Sequence, residues 1–253
     1  MVGYTQEGRV AVLTINRPEA RNAVNGEVAT AMEAGLDRLE GDPDTWVGIV
    51  TGEGPVFSAG ADLKAIAAGQ ADDLQTERGG FGGITARRRE KPLIAAVDGP
   101  ALAGGCEIVL ACDLVVASRA ARFGIPEVKR SLVAAAGGLF RLPRALPPAV
   151  AMELALTGDP IDAERAHAFG MVNQLVEPGQ ALEAAFALAE RIVANAPVAV
   201  RASRRVMVEG AYADDDTAWR LTREAMAQAV ATEDFQEGPR AFIEKREPRW
   251  TGR

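Results

Sequence analysis

Four short runs in the first half of the chain are dense in β-branched and aliphatic residues: Arg9–Ile15 (RVAVLTI), Trp46–Gly52 (WVGIVTG), Pro92–Gly99 (PLIAAVDG) and Asp113–Ser118 (DLVVAS). Turn formers bound them, so they predict strands. Between the first two the period changes: Val28, Met32, Leu36 and Leu39 recur at helical spacing after a capping Asn25 and before Gly41 and Pro43, which predicts a helix. Strands alternating with helices imply crossover connections and a largely parallel sheet buried on both faces.

From about residue 148 the helical period takes over, in AVAMELALTG, DAERAHAFG, QALEAAFALAERIVANAP, VAVRASRRVMVEGAY, DDDTAWRLTREAMAQAVA and FQEGPRAFIEKRE. The expected organisation is an α/β core over residues 1–195 and a helical region over 196–253. Alternating Arg and Glu on the last helices fit a solvated face with pairs at i,i+4, and equally an oligomerisation surface. The glycine-rich segment 69–85, GQADDLQTERGGFGGIT, is expected to form a loop that serves as wall or lid of a pocket. The basic cluster ARRRE at 86–90 is expected to sit exposed at a helix end, away from any ligand.

The chain has 253 residues, 48% hydrophobic and 25% charged, enough for a sizeable core. A net charge of −7 with pI near 5.0 argues against nucleic-acid or polybasic membrane partners. The opening MVGYTQEGRV has no apolar stretch of a targeting signal, and no uncharged run is long enough to span a bilayer; the expectation is a cytoplasmic protein. The cysteines, Cys106 and Cys112, with a single histidine, fit neither a disulfide framework nor a zinc site. They read as reduced core thiols, and no metal is expected.

The candidate chemistry starts at LAGGCEIVLACD, residues 102–113, where Glu107 stands among small and apolar residues. Burying an unpartnered carboxylate is costly, so it needs a partner or a task. Two glycine-containing turns follow strands, Phe57–Lys64 (FSAGADLK) and Gly99–Glu107 (GPALAGGCE), each leading into a helix. The first amides of a helix lack intrahelical acceptors, and two of them aimed at one point form an oxyanion hole. A second acid, Glu127, ends RFGIPE just past another strand-like run. If both strands share a sheet, the two acids converge.

NRPEARNAV, VFSAGADLKAI, PLIAAVDGPALAGGCEIVLACDLVVAS and ARFGIPEV, taken in order, resemble the crotonase, or enoyl-CoA hydratase/isomerase, superfamily over nearly the whole chain. The resemblance implies an α/β spiral of ββα units with a helical C-terminal region that trimerises, often as a dimer of trimers. It implies an acyl-CoA thioester substrate and no further cofactor. Carried over by position, the oxyanion-hole amides fall on Ala61 and Gly104 and the two catalytic carboxylates on Glu107 and Glu127. CoA contacts fall on Ala20, Ala59, Leu63 and Lys64, with Phe242 and Lys245 reaching CoA across a subunit boundary. Where some hydratases carry a lysine after NRP this chain has Glu19, so Arg21 is expected to meet the phosphate instead.

Two glutamates imply hydration of a trans-2-enoyl-CoA to a 3-hydroxyacyl-CoA, whereas isomerisation needs one carboxylate and a noncatalytic acyl-CoA-binding relative would usually lose one. The resemblance also extends to members acting on bulkier or hydroxylated acyl groups, carnitinyl-CoA dehydratase-like and sterol side-chain hydratase-like: Ile125 stands where hydratases commonly have glutamine, LVAAAGGLFRLPR replaces a Pro-Gly-Ala-Gly-Gly-Thr-Gln-Arg-like turn, and ERGGFGGIT is read together with them. Both departures are expected beside the acyl pocket. Serine hydrolase chemistry is disfavoured, because the one histidine, His167, lies in a helical DAERAHAFG segment without a nucleophile motif.

Overall fold

The computed structural model describes residues 1–253. Its main sheet has six strands: β1 (Val2–Glu7), β2 (Val10–Ile15), β3 (Val47–Gly52), β4 (Leu93–Val97), β5 (Leu114–Ser118) and β6 (Gln174–Val176). They lie side by side in chain order. β1 pairs antiparallel with β2, and every later pairing is parallel. All four predicted strands are present.

Ten helices accompany the sheet: α1 (Gly26–Gly41), α2 (Leu63–Ala67), α3 (Gly104–Ala111), α4 (Gly138–Ala145), α5 (Pro148–Thr157), α6 (Ala163–Ala168), α7 (Ala181–Val193), α8 (Pro197–Gly210), α9 (Asp215–Val230) and α10 (Asp234–Glu244). Asn25 caps α1 by accepting a hydrogen bond from the Val28 N–H. Asp162 and Asp214 do the same for α6 and α9.

Both faces of the sheet are covered, which explains its continuous apolar runs. Ala11, Leu13, Ile15, Leu93, Ala95 and Val97 face the larger core with α1. Their neighbours Val10, Val12, Ile94 and Ala96 face the other way, onto Ala181, Ala185 and Ala189 of α7. The three alanines let α7 approach the strands closely.

A second, smaller sheet holds Ala101–Leu102, Arg122–Gly124 and Ile161–Asp162. The first two are parallel, in the register Ala101–Phe123 and Leu102–Gly124. Single bridges Ser58–Ala101 and Val24–Ala61 carry the same surface back toward β3. After β2, β3, β4 and β5 the chain in turn supplies a short extended segment to this second surface and then a helical turn or helix, giving the ββα spiral. Ile161–Asp162 and the hairpin of Gln75–Thr76 with Gly80–Phe81 were not apparent from the pattern, being only two residues per strand.

Two sequence expectations need correction. The ARRRE cluster is not at a helix end and is largely tied down: the Arg89 side chain is 4% exposed and pairs with Asp113 at 2.5 Å, while Arg87 pairs with Asp37. Ile125 is not in the wall of the cleft described below but is buried in the larger core. No helix is long and apolar enough to cross a membrane.

Candidate active site

The second sheet places the two predicted turns against each other. Leu102 N–H donates to Ser58 O at 3.0 Å and Phe57 N–H to Pro100 O at 3.1 Å. The Val24–Ala61 bridge is made by Val24 N–H to Gly60 O and by Asp62 N–H to Val24 O, so the N–H of Ala61 between them points away and donates to no protein group. Gly104 opens α3, where its amide has no intrahelical acceptor. Ala103, just before it, holds φ 52° and ψ −130°, a strained region for a residue with a Cβ. That strain sets the direction of the Gly104 amide.

Gly60 lets the turns touch. At φ +87°, a Cβ there would lie 2.8 Å from both the Gly104 nitrogen and the Ala103 Cβ. The ring of Phe81 covers the Cα of Gly104 from the other side, leaving no room for a side chain.

Glu107 sits one turn into α3 and is 3% exposed. Its Oε1 accepts a hydrogen bond from Gly138 N–H at 2.9 Å, at the start of α4. Burial, aided by the nearby charge of Glu127, pushes its pKa up to about 7, against the opposing pull of the Gly138 and Ala136 amides and of Arg141. Glu127 follows Pro126 in a short 3-10 turn after Arg122–Gly124. Burial raises its pKa as well, with Arg130 opposing, and its Oε2 is buried without a hydrogen-bond partner. Both acids reach the same cleft because Leu102 and Gly124, upstream of them, are paired neighbours. Two carboxylates with raised affinity for a proton beside two free amides can move a proton while stabilising a developing oxyanion.

These groups line one cleft of about 1200 Å³, whose wall includes Ala20, Arg21, Ala59, Ala61, Leu63, Lys64, Gly104, Glu107 and Glu127. Arg21, at φ 54°, and Lys64 have no acidic partner, while Arg17 in the same wall is paired with Asp62 at 3.1 Å. Phe242 and Lys245 do not reach the cleft within the chain, and Phe242 is 86% exposed at the end of α10.

The model for the family described as enoyl-CoA hydratase/isomerase matches residues 5–253. The chain belongs to the enoyl-CoA hydratase/isomerase family. A carnitinyl-CoA dehydratase of Salmonella typhimurium is 39% identical, covering 98% of this chain and 97% of the relative. An enoyl-CoA hydratase structure from Mycobacterium tuberculosis superposes with a TM-score of 0.96 at 51% identity, covering 100% of this chain and 99% of that one. A carnitinyl-CoA hydratase structure from Mycobacterium avium gives 0.78 at 46% identity, covering 100% and 98%. Within this family fold, the loop expected as wall or lid is a wall. Arg78 pairs with Glu33 and Asp37 of α1, Arg87 pairs with Asp37, and Thr76 hydrogen-bonds Glu33.

Several cleft residues escaped sequence reasoning. Gly138 donates to Glu107 and Phe81 shapes the floor at Gly104. Arg141 donates to Thr85 O at 2.6 Å and Ala136 O at 3.3 Å, tying opposite walls together. The Gly-Gly pair at 137–138 was the one available signal. His167 is exposed, with Nδ1 2.8 Å from Val172 O. Burial pushes the thiols of Cys106 and Cys112 up to about 12, which makes both unreactive.

Proposed function

We propose that the protein is an enoyl-CoA hydratase, adding water reversibly across the C2–C3 double bond of a trans-2-enoyl-CoA. The observation that carries this reading is that Glu107 and Glu127 line the same cleft as the free amides of Ala61 and Gly104. With the thioester oxygen on those amides, the charge that develops there as C3 is attacked is stabilised; removing one such donor elsewhere costs about 2.7–4 kcal/mol. Water sits between the acids. Glu107 takes its proton as the oxygen bonds to C3, and Glu127 gives a proton to C2. The pair holds one proton before and after, so atoms and charge balance. Water addition moves no electrons to an acceptor, and no cofactor enters beyond the CoA of the substrate.

Arg21 and Lys64, cations without acid partners at the mouth, would meet CoA phosphates, with Ala20, Ala59 and Leu63 along the thioester arm. Phe242 and Lys245 would contribute from a neighbouring copy. We read the chain as a trimer or dimer of trimers joined through α8–α10, where Met207, Tyr212, Trp219, Met226 and Phe242 are exposed.

The test follows loss of the conjugated thioester absorbance with crotonyl-CoA and longer trans-2-enoyl-CoA thioesters. Turnover should fall by orders of magnitude in Glu107→Gln and in Glu127→Gln with CoA affinity kept; a variant retaining most turnover removes that residue from the reaction. A second reading, dehydration of carnitinyl-CoA, is favoured by the names of the Salmonella relatives. It is the same chemistry reversed on a 3-hydroxyacyl-CoA.

A further inference from the structure

We infer that Asn22 is a positioning residue that aims the Ala61 N–H by holding residues 21–24 against the turn 58–62. The inference rests on the hydratase reading, which places the thioester oxygen on that amide. Every other N–H of the turn is taken. Ser58 N–H donates to Pro100 O at 3.3 Å, Ala59 N–H to Arg21 O at 3.0 Å, Gly60 N–H to Ser58 Oγ at 3.2 Å and Asp62 N–H to Val24 O at 2.9 Å. The Ser58 hydroxyl in turn donates to Asn22 O at 2.8 Å. In a planar trans peptide the C=O and the following N–H point in opposite directions. Val24 N–H holds Gly60 O at 2.7 Å, so the Ala61 N–H on the same peptide is turned away from residues 21–24.

The direction of that amide therefore depends on what holds residues 21–24, and regular structure does not. Arg21 and Asn22 are adjacent residues at φ 54° and 53°, in the left-handed region that asparagine accepts and arginine resists. Such a conformation persists only where its surroundings over-determine it. The Asn22 side chain, completely buried, supplies that constraint. Its Oδ1 accepts a hydrogen bond from the Arg17 N–H at 2.8 Å, and its Nδ2 donates to Glu53 O at 2.9 Å and to Val56 O at 2.6 Å.

One side chain thus ties residues 17–24 to the segment that leads from β3 into the turn. The fit is close, since a Cβ on Gly52 would lie 2.9 Å from Nδ2. Asparagine is the one short side chain that offers an acceptor and two donors. Arg17 closes the frame from outside, its guanidinium reaching Ala23 O at 2.6 Å and Asp62 at 3.1 Å. Because the Arg21 carbonyl belongs to the same frame, loss of Asn22 also reaches a cation of the cleft mouth; Ser58 touches only the turn.

Two variants test the link. Asn22→Gly leaves the left-handed backbone unstrained and removes the three side-chain bonds; Ser58→Ala keeps those bonds and removes only the hydroxyl between Asn22 O and Gly60 N–H. Polarisation by the amides is read without turnover from bound 4-dimethylaminocinnamoyl-CoA, whose absorbance moves to longer wavelength as its carbonyl accepts hydrogen bonds. In Asn22→Gly that red shift should fall by at least about half, and kcat with crotonyl-CoA by about 10- to 100-fold. Ser58→Ala should lose part of the red shift and of kcat with KM unchanged. Asp113→Ala, which weakens the fold away from the cleft, should keep the full red shift. An Asn22 that merely held the fold together would lower the melting temperature alone, so a full red shift in folded Asn22→Gly overturns the inference. If that variant does not fold, Ser58→Ala decides, and a full red shift with unchanged kcat overturns it. Wild-type protein that binds the probe without shifting it overturns it as well. If the shifts behave as expected and no enoyl thioester is hydrated, the hydratase reading falls and the positioning by Asn22 stands.

Discussion

Glu107 and Gly138, 31 residues apart in the chain, meet in one hydrogen bond, with the Gly138 N–H donating to Oε1 at 2.9 Å. The contact leaves no spare space: a Cβ on Gly138 would lie 3.0 Å from that oxygen and 3.1 Å from the Ala134 Cβ. Gly138→Ala should therefore displace the carboxylate, lowering kcat by about 10- to 100-fold with little change in the affinity for CoA. Steady-state kinetics beside CoA titration check this; an unchanged kcat would show that the position of Glu107 does not depend on Gly138.

The pKa of about 7 at Glu107 has two consequences of opposite sign. As the base, Glu107 must be ionised, so kcat/KM should rise with pH up to a shoulder near 7. For stability the order is reversed: the folded pKa lies above the unfolded one, so the folded state holds the proton more tightly. Stability from this group is full below about pH 4.5 and is lost as pH rises through 7, by a total of about 3 kcal/mol at most. Glu107→Gln should thus be inactive and yet raise Tm at pH 8, with a smaller gain at pH 5. Thermal melts at the two pH values decide it, and an equal gain at both would contradict the shift.

Gly60→Ala tests the amide pair without touching an acid. The new methyl group would press on the Gly104 nitrogen at 2.8 Å in a backbone conformation that L residues rarely adopt. Turnover should drop about 100- to 1000-fold, the loss seen when an oxyanion donor is removed. The CD spectrum and native mass of the variant show whether the fold survives, so that lost turnover can be assigned to the amides.

Asp113 accepts hydrogen bonds from Arg89 at 2.5 Å, from Arg204 of α8 at 2.9 Å and from the Leu93 N–H at 2.8 Å. Burial works against its charge, and the two guanidinium groups overcome it and hold its pKa low. Asp113→Ala strands two cations at the joint between the sheet and α8, and should destabilise the protein by about 3–5 kcal/mol. It does not line the cleft; activity per folded molecule should persist at low temperature. Denaturant melts and kinetics measure the two effects separately.

Four of the six strands of the main sheet, β2 to β5, and the capped helix α1 were readable because their signals are local: β-branched runs, a helical period and an Asn at the cap; the edge strands β1 and β6, less apolar, were not. Glu107 stood out because a carboxylate in an apolar run is rare enough to need a reason. What could not be read depends on contacts distant in sequence. Arg89 looked like a surface charge, because its partners Asp113 and Arg204 come from other turns of the spiral. Ile125 looked like a substrate contact from its place two residues before Glu127, yet it continues the core-facing side of Phe123, and the 3-10 turn that starts at Pro126 carries Glu127 alone into the cleft. Gly138 carries its role in a backbone N–H that every non-proline residue possesses, and the reason for a glycine there, the lack of room beside Glu107 and Ala134, exists only once the chain is folded.

The strand order has a consequence for synthesis. Each strand of the main sheet pairs with the one made just before it, so the sheet can grow as the nascent chain leaves the ribosome. One face stays bare much longer. Val10, Val12, Ile49 and Ile94 are covered by Ala181, Ala185 and Ala189, residues that emerge only in the last third of translation. Until then the growing protein presents a wide aliphatic surface to solvent, and a chain released early would keep it. Ribosome-stalled chains ending before α7 should be held by a chaperone such as a surface-binding holdase, and lengthening them through Val193 should release it.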